Sequence, residues 1–233
     1  MPSTVSCGCD SHASICDFRA CPKVGRDKGK IRVSSEQDPP PTRIRGGEAV
    51  KTALIDAAAE MLGEIGPSHI SVREIAERAG VNHGQVHHYF GGKRPLLEAA
   101  MKQLAHGHFE YARMLTGDSI FPPALSLSQD SNYWRAISHI AMDGDLDLAR
   151  IEIDEGVSVP RLTLKKLRTK TAGEMDDLVV KARLAGVAAL QLGWVAFEDY
   201  LLMAVDAHEE EDRETLLAEV KKSIENAIVQ AFD

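Results

Sequence analysis

The chain has 233 residues, enough for one or two domains around a sizeable core, and 44% of them are hydrophobic, as in ordinary globular proteins. Its 27 basic and 35 acidic side chains leave a formal charge of −8, which excludes a protein that coats nucleic acid by overall positive charge. All four cysteines, Cys7, Cys9, Cys16 and Cys21, fall within the first 21 residues, so no disulfide framework holds the fold and a reducing, cytoplasmic interior is the expected setting.

The charge is unevenly spread. Residues 1–41 carry 6 basic and 5 acidic side chains, residues 42–102 carry 8 and 7, and residues 103–233 carry 13 and 23. A polyanion would therefore have to meet the N-terminal half. No apolar signal segment follows the N-terminus. The most apolar run, LAGVAALQLGWVAF over 184–197, is too short to span a membrane, so no membrane partner is expected.

Residues 1–47 are rich in Gly, Ser, Asp and Lys, lack apolar periodicity and contain Pro39-Pro40-Pro41 and Gly46-Gly47, the composition of a disordered tail. Its C-x-C-x6-C-x4-C spacing could hold zinc or an iron–sulfur cluster, but no second paired ligand set follows at zinc-finger distance. Periodicity starts at Glu48. Leu54, Ile55, Ala58, Leu62 and Ile65 share one helical face, and Gly66-Pro67 stops that helix. Ser71 and Glu74 form an S-x-x-E capping box, followed by Val72, Ile75, Ala76 and Ala79 as a buried side and Gly80 as the stop. Asn82 and Gln85 repeat the capping logic, so a second short helix runs from His83 to about Phe90 and breaks at Gly91-Gly92. Lys93 opens a longer helix to about Leu115, with Pro95 tolerated in its first turn. Two short helices around a glycine-containing turn make a helix-turn-helix, with 83–90 as the groove-entering element.

After the loop TGDSIFPPALSLSQD the pattern stays helical. Residues 131–142 show an apolar side of Trp134, Ile137 and Ala141; VPRLTLKKLRTKT has Pro160 near its start and a basic outer face. Residues 176–206 are long and apolar, and Leu216, Leu217, Val220, Ile224, Ala227, Ile228 and Ala231 form a final helical stripe. The expected fold class is all-α: a tail over 1–47, a helix-turn-helix domain over 48–92 and a helical ligand-binding and dimerisation domain over 93–233.

Three readings of the histidine-rich stretch VNHGQVHHYFGGKR (81–94) compete. A phosphate loop needs G-x4-GK-[ST] after a strand; here Arg94 follows Lys93 and no strand precedes. His83 and His87 stand at i and i+4, but no Glu lies between them and no third ligand is near, so no metal site is expected. The acidic DGDLD (143–147) starts like a calcium loop but has Leu148 where Gly is needed. No cofactor is implied. No nucleophile–base pair or carboxylate pair in a plausible cleft points to an enzyme; a helical enzyme or an interaction module with a degenerate helix-turn-helix is the alternative.

From about Lys51 to Leu104 the sequence resembles the TetR family of transcriptional repressors. The family pattern AGVS-x-G-x-x-Y-x-YF-x-x-K-x-x-L is matched by Ala79, Gly80, Val81, Gly84, Tyr89, Phe90, Lys93 and Leu96. His87 stands where the pattern has Tyr, Asn82 where it has Ser or Thr, and Gly92 where a capping Ser is common. The resemblance covers under a quarter of the chain. It implies a helical C-terminal domain that dimerises and holds an inducer pocket, and it implies that Tyr89 and Lys93 hold the DNA backbone; the operator sequence is not carried over.

From the residues themselves, the first turns of the second short helix offer His83, Gln85, His87 and His88 to base edges, and Asn82 at its start is a further DNA-binding candidate. Ser71, Arg73, Tyr89 and Lys93 supply hydroxyl and cationic donors for phosphates, and Arg43 and Arg45 could reach a minor groove or phosphates. Val86 and Phe90 read as core. A homodimer on a palindromic operator would double these contacts. Gly186, Ala189, Leu190, Gly193, Leu202, Leu217, Ile224 and Ile228 are the candidates for completing a four-helix bundle with a second copy. His108, Tyr111, Trp134, His139, Met142, Trp194 and Phe197 are the candidates for a pocket that binds an unknown small-molecule effector.

Overall fold

A computed structural model of the protein describes residues 46–233 apart from 173, 208 and 233. The cysteine-bearing tail, Arg43 and Arg45 lie outside the described residues. Every regular element among the described residues is helical: α1 Gly47–Glu64, α2 Val72–Arg78, α3 Gly84–Phe90, α4 Lys93–Thr116, α5 Ser131–Met142, α6 Leu146–Ala149, α7 Ile151–Asp154, α8 Val159–Lys170, α9 Asp177–Ala204 and α10 Glu210–Phe232, with a 3-10 turn at Ser126–Gln129.

Helix α1 is the hub. Leu54, Ala58 and Leu62 are fully enclosed, and Ala57, Ala59 and Met61 are also buried, because α2, α4 and α5 pack on several of its sides. Ile65, read as part of the buried face, lies one residue past the helix end and is 39% exposed. Small residues let α5 approach closely. A Cβ on Gly63 would sit 2.0 Å from Asn132 Oδ1, and the Asn132 amide donates to Ala59 O at 3.0 Å. Gly66 turns the chain with φ 75°, and a Cβ there would meet the Cβ of His139 at 2.8 Å.

The capping box that starts α2 is formed: Ser71 Oγ accepts from the Glu74 amide, and Glu74 accepts from the Ser71 amide. At α3 the reading needs correction. Helix α3 begins at Gly84, and the Asn82 side chain accepts from the Gly84 amide at 2.9 Å, two residues on, in place of the Asn82–Gln85 reciprocal cap. Gly91 closes α3 in the left-handed conformation, φ 77°.

The buried side of α5 is Tyr133, Ala136 and Ile140, flanked by half-buried Trp134 and Ile137; Ala141 is exposed, one position off the expected stripe. The two one-turn helices α6 and α7 occupy the stretch 146–154, where the pattern predicts no element. Asp145 starts α6 by accepting from the Leu148 amide and pairs with Arg94 at 2.5 Å. Pro160 sits in the first turn of α8, whose Leu167 is fully buried and whose Arg161, Lys165 and Arg168 are exposed. Helix α9 runs 28 residues through Glu198 and Asp199, so the apolar run 184–197 belongs to a helix that is long and apolar enough to cross a membrane by length and composition. Here it packs on α8 and α10.

Candidate nucleic-acid interface and ligand cavity

Helices α2 and α3 rest on a common core of Ile75, Ala76 and Val86, all essentially inaccessible. Val86 is thus core, as read, and Phe90 is half-buried against the same cluster. What remains outside is a polar ridge. Ser71, Arg73, Asn82, His83, His87 and His88 are exposed, and Gln85 and Tyr89 are half-buried.

Each group on this ridge has a definite state. The Ser71 hydroxyl oxygen is used as the cap acceptor, which leaves its proton free to donate. Its partner Glu74 is held below the usual carboxylate range by the Ser71 hydrogen bonds. Arg73 has no ion-pair partner among the described residues. Because Asn82 caps Gly84, the Gln85 side-chain amide keeps both of its functions unused among the described residues, the condition for a bidentate grip on an adenine edge. Tyr89 lies beside the start of α1, its hydroxyl 3.3 Å from where a Gly47 Cβ would be; His88 meets its ring edge-on, and the Lys51 ammonium stands 5.7 Å from its centre. Lys93 has a second task that the sequence did not reveal: its ammonium donates to Pro67 O at 2.7 Å and ties the start of α4 to the turn between α1 and α2. Two of its three donors are left for other acceptors.

Behind the ridge lies a cavity of about 440 Å³, walled by α4 to α9 and the loop 121–127. Of the seven residues expected in a pocket, His108 and Trp134 line it. His139, Met142 and Phe197 instead line an outer groove of about 700 Å³ between α5 and α9, which Trp134 also borders from its other side. Trp194 and Phe197 line a groove of about 590 Å³ between α9 and α10. Tyr111 touches none of these; its hydroxyl donates to Ser126 O and Gln129 Oε1. The residues expected in one pocket are spread over three surfaces, because an apolar residue on a helix does not state which neighbour it faces.

The cavity floor is a polar network in an apolar shell. His108 is 3% exposed; its Nδ1 lies 3.0 Å from Asp130 Oδ2, and its ring stacks on Tyr133 at 3.8 Å with an 8° interplanar angle. Tyr133 donates to Glu152 Oε2, and Ser158 donates to Glu152 Oε1 at 2.7 Å. Burial, with the Glu152 carboxylate second, pushes the Tyr133 phenol far above its ordinary range and keeps it a donor. Tyr133, Glu152, Arg150 and Gln191 carried no sequence signal; only the packing of α6, α7 and α9 around α5 brings them together.

At the other end, Leu202 and Ile224, expected between two copies, are buried inside the chain's own α9–α10 cluster, with Leu217 and Ile228 packed against it. Gly186, Ala189 and Leu190 are exposed and Gly193 is half-buried. The exposed large apolar residues there include Leu190, Phe197, Tyr200 and Met203, besides Leu178, Val205 and Val229.

Comparison with known proteins agrees with this geometry. Residues 54–100, which hold the ridge and its core, match the family described as bacterial regulatory proteins, tetR family. An HTH-type transcriptional repressor of Mycobacterium tuberculosis is 29% identical over 164 residues, 70% of this chain and 81% of that one. The regulator BetI 1 of Chromohalobacter salexigens is 47% identical over 51 residues, 22% of this chain and 25% of its own. Among solved structures, a tetR-family transcriptional regulator from Streptomyces coelicolor superposes with a TM-score of 0.54 at 19% identity, over 80% of this chain and 83% of that one, a likeness of fold. Residues 54–100 are thus a tetR-type helix-turn-helix, and these likenesses support a DNA-binding transcriptional regulator.

Proposed function

We propose that this regulator is a cytoplasmic homodimer that represses transcription from a palindromic operator and is released by a small molecule bound in the 440 Å³ cavity. In this reading Gln85, His83 and His87 meet base edges, while Ser71, Arg73, Tyr89 and Lys93 meet phosphates, with Arg43 and Arg45 as further cations ahead of α1.

The observation that carries the regulatory part is the double use of α5. One side of it gives Tyr133, Trp134 and Ile137 to the cavity wall. Its other side seats the reading head: Asn132 bonds Ala59 O, His139 abuts Gly66, and Asp143, just beyond the helix, accepts from the Ser68 amide at 3.2 Å. A ligand that displaces α5 therefore moves the base of α1. In a dimer that changes the spacing of the two heads and the affinity for two half-sites fixed one helical turn apart.

Support for a second copy comes from α9 and α10. Leu190, Phe197, Tyr200 and Met203 are each more than half exposed, an apolar surface that monomeric proteins rarely leave to water. Repression itself rests on the name of the Mycobacterium tuberculosis relative.

The test is binding of the full chain to the DNA upstream of its own gene and to random duplex at two salt concentrations. Specific binding with a steep salt dependence supports the reading. Equal affinity for the two duplexes would sink it. Sedimentation of wild type and Phe197→Glu tests the dimer: a two-fold mass that Phe197→Glu halves supports it, and an unchanged mass removes α9 from the interface.

A further inference from the structure

We infer that the effector is an apolar monocarboxylate, a compact hydrophobic body whose single carboxylate is received by Arg150 at the cavity mouth. This rests on the reading of the cavity as an effector site and adds its chemistry.

Among the polar groups of the cavity, the Thr163 hydroxyl and His108 Nε2 can serve in either sense; the others have a definite one. Trp134 Nε1 donates to Leu127 O at 2.5 Å. Tyr133 is spent on Glu152, and both Glu152 oxygens have donors, Tyr133 and Ser158. His108 Nδ1 is taken by Asp130. The Gln191 carbonyl oxygen accepts from the Leu125 amide at 3.3 Å, which leaves its NH2 as a donor. Arg150, at the junction of α6 and α7, also lines the cavity, and among the described residues it has no ion-pair partner. The charges already present are thus unequal in availability: the anions are occupied and the cation is not. The free functions of fixed sense, the Arg150 guanidinium and the Gln191 amide, are both donors.

A ligand that answers this set brings acceptors and one negative charge. A carboxylate matches a guanidinium fork in two parallel bonds. Arg150 is itself exposed, so the ligand head keeps part of its hydration and the desolvation cost stays small. An ammonium would find each Glu152 oxygen already accepting one bond, from Tyr133 and from Ser158, and would feel Arg150 as a like charge. An alcohol would leave Arg150 unanswered. The remaining wall, including Phe121, Leu127, Ile137, Leu184 and Val187, is apolar, and Trp134 stands edge-on to both His108 and Tyr133 at 83° and 76°. A volume of about 440 Å³ fits a body of roughly a dozen non-hydrogen atoms with ordinary filling.

The experiment is calorimetric titration of the full chain with three probes that share one body: naphthalene carboxylate, naphthalene methanol and naphthylmethylammonium. The carboxylate should bind about tenfold more tightly than either other probe. Arg150→Gln should abolish that preference while leaving the affinity for the alcohol unchanged. Ala188→Phe, which fills the cavity, should abolish binding of all three; if that variant does not fold, Ile153→Trp at the mouth serves the same purpose. The inference is overturned if the alcohol or the ammonium binds best, if Arg150→Gln keeps the preference, or if none of the probes binds. Operator binding without any probe is measured in parallel. Its loss would count against the regulatory reading, whereas intact operator binding with a wrong probe order counts against the carboxylate alone.

Discussion

The stretch from α1 to α7 and the stretch from α8 to α10 are both apolar in sequence, but they spend that apolarity differently. In the first, one cluster runs from Val50 and Leu54 in α1 through Ile75, Val86, Leu96 and Met101 to Tyr133, Ile140 and Leu148. In the second, the buried residues divide into two small groups, one around Trp194, Leu202 and Ile224 and one around Leu167, Val180, Val187 and Phe232. Helix α9 shows why. Its buried positions, Val180, Val187, Trp194 and Leu202, follow one another at about two helical turns, so a single narrow seam is covered. Leu190, Phe197, Tyr200 and Met203 stand 53–61% exposed on its other sides. The first region is built on one continuous core, with Met114, Met142 and Leu146 left exposed at its edges. The second has the composition of a core and the exposure that the proposed second copy would cover.

The strongest way to break this comparison is to cut one side chain in each region. Leu62→Ala removes a fully enclosed side chain at the hub and should cost about 2–5 kcal/mol in urea unfolding. Leu190→Ala, at a position 53% exposed, should cost under about 0.5 kcal/mol in a dilute, monomeric sample. Equal losses would mean that α9 is as enclosed within one chain as α1.

Gly63→Ala is next in size. The new methyl gains about 1 kcal/mol of helix propensity. It also meets Asn132 Oδ1 at 2.0 Å and the Asn132 carbonyl oxygen at 2.8 Å, and the second of these cannot rotate away. Overpacking of this kind costs about 1–3 kcal/mol, so the clash wins and thermal unfolding falls. Operator affinity should fall as well at temperatures where the variant is folded, because α5 must shift beneath the reading head. A stability loss with unchanged operator affinity would separate α5 from the head and weaken the coupling proposed above.

What the sequence disclosed follows the same division. The capping box at Ser71, the stops at Gly80 and Gly91 and the ends of α4 and α5 are local events, decided by residues within one turn, and they stand where the pattern put them. The exposure of the polar ridge was equally legible, since polar residues on a short helix between two stops face away from its apolar side. Errors entered where a residue answers to a distant partner. Asn82 looked paired with Gln85 but caps Gly84. Lys93 looked free but holds Pro67 O, 26 positions back. Glu152 and Arg150 stand in a stretch with no pattern, and only two one-turn helices, too short to show any period, carry them to the cavity.

A smaller effect of opposite sign belongs to Gly186. A Cβ there meets nothing within 4 Å, and α9 is helical on both sides of it. Gly186→Ala should therefore raise the melting temperature of a dilute sample, by the equivalent of about 0.5–1 kcal/mol. If a second copy packs on this side of α9, the gain should shrink or reverse at high concentration, where the methyl meets the partner helix. A gain that is the same at both concentrations places the interface elsewhere on α9 and α10.

The smallest expected effect is that of acid on the exposed ion pairs. Lys102, then His106, hold Glu155 below its ordinary value of 4.5 and fasten α7 to α4; the Ser68 hydrogen bonds hold Asp143 below 3.8 beneath the reading head. In the second region Arg168, then Lys181, depress Asp177 strongly. All three are carboxylates with lowered folded-state values, so the unfolded chain binds protons first as the pH falls. Their contribution is present in full above pH 4.5 and drains away below it. Each group is exposed and screened, so the melting temperature should be level from neutral pH down to about 5, decline below that, and decline less steeply in high salt. Asp177→Asn should flatten part of the acid limb without touching operator binding at neutral pH, since the pairs it breaks lie in α8 and α9. A melting temperature that rises as the pH passes below 4.5 would mean that the unfolded chain, not the folded one, holds these carboxylates at their lowest values.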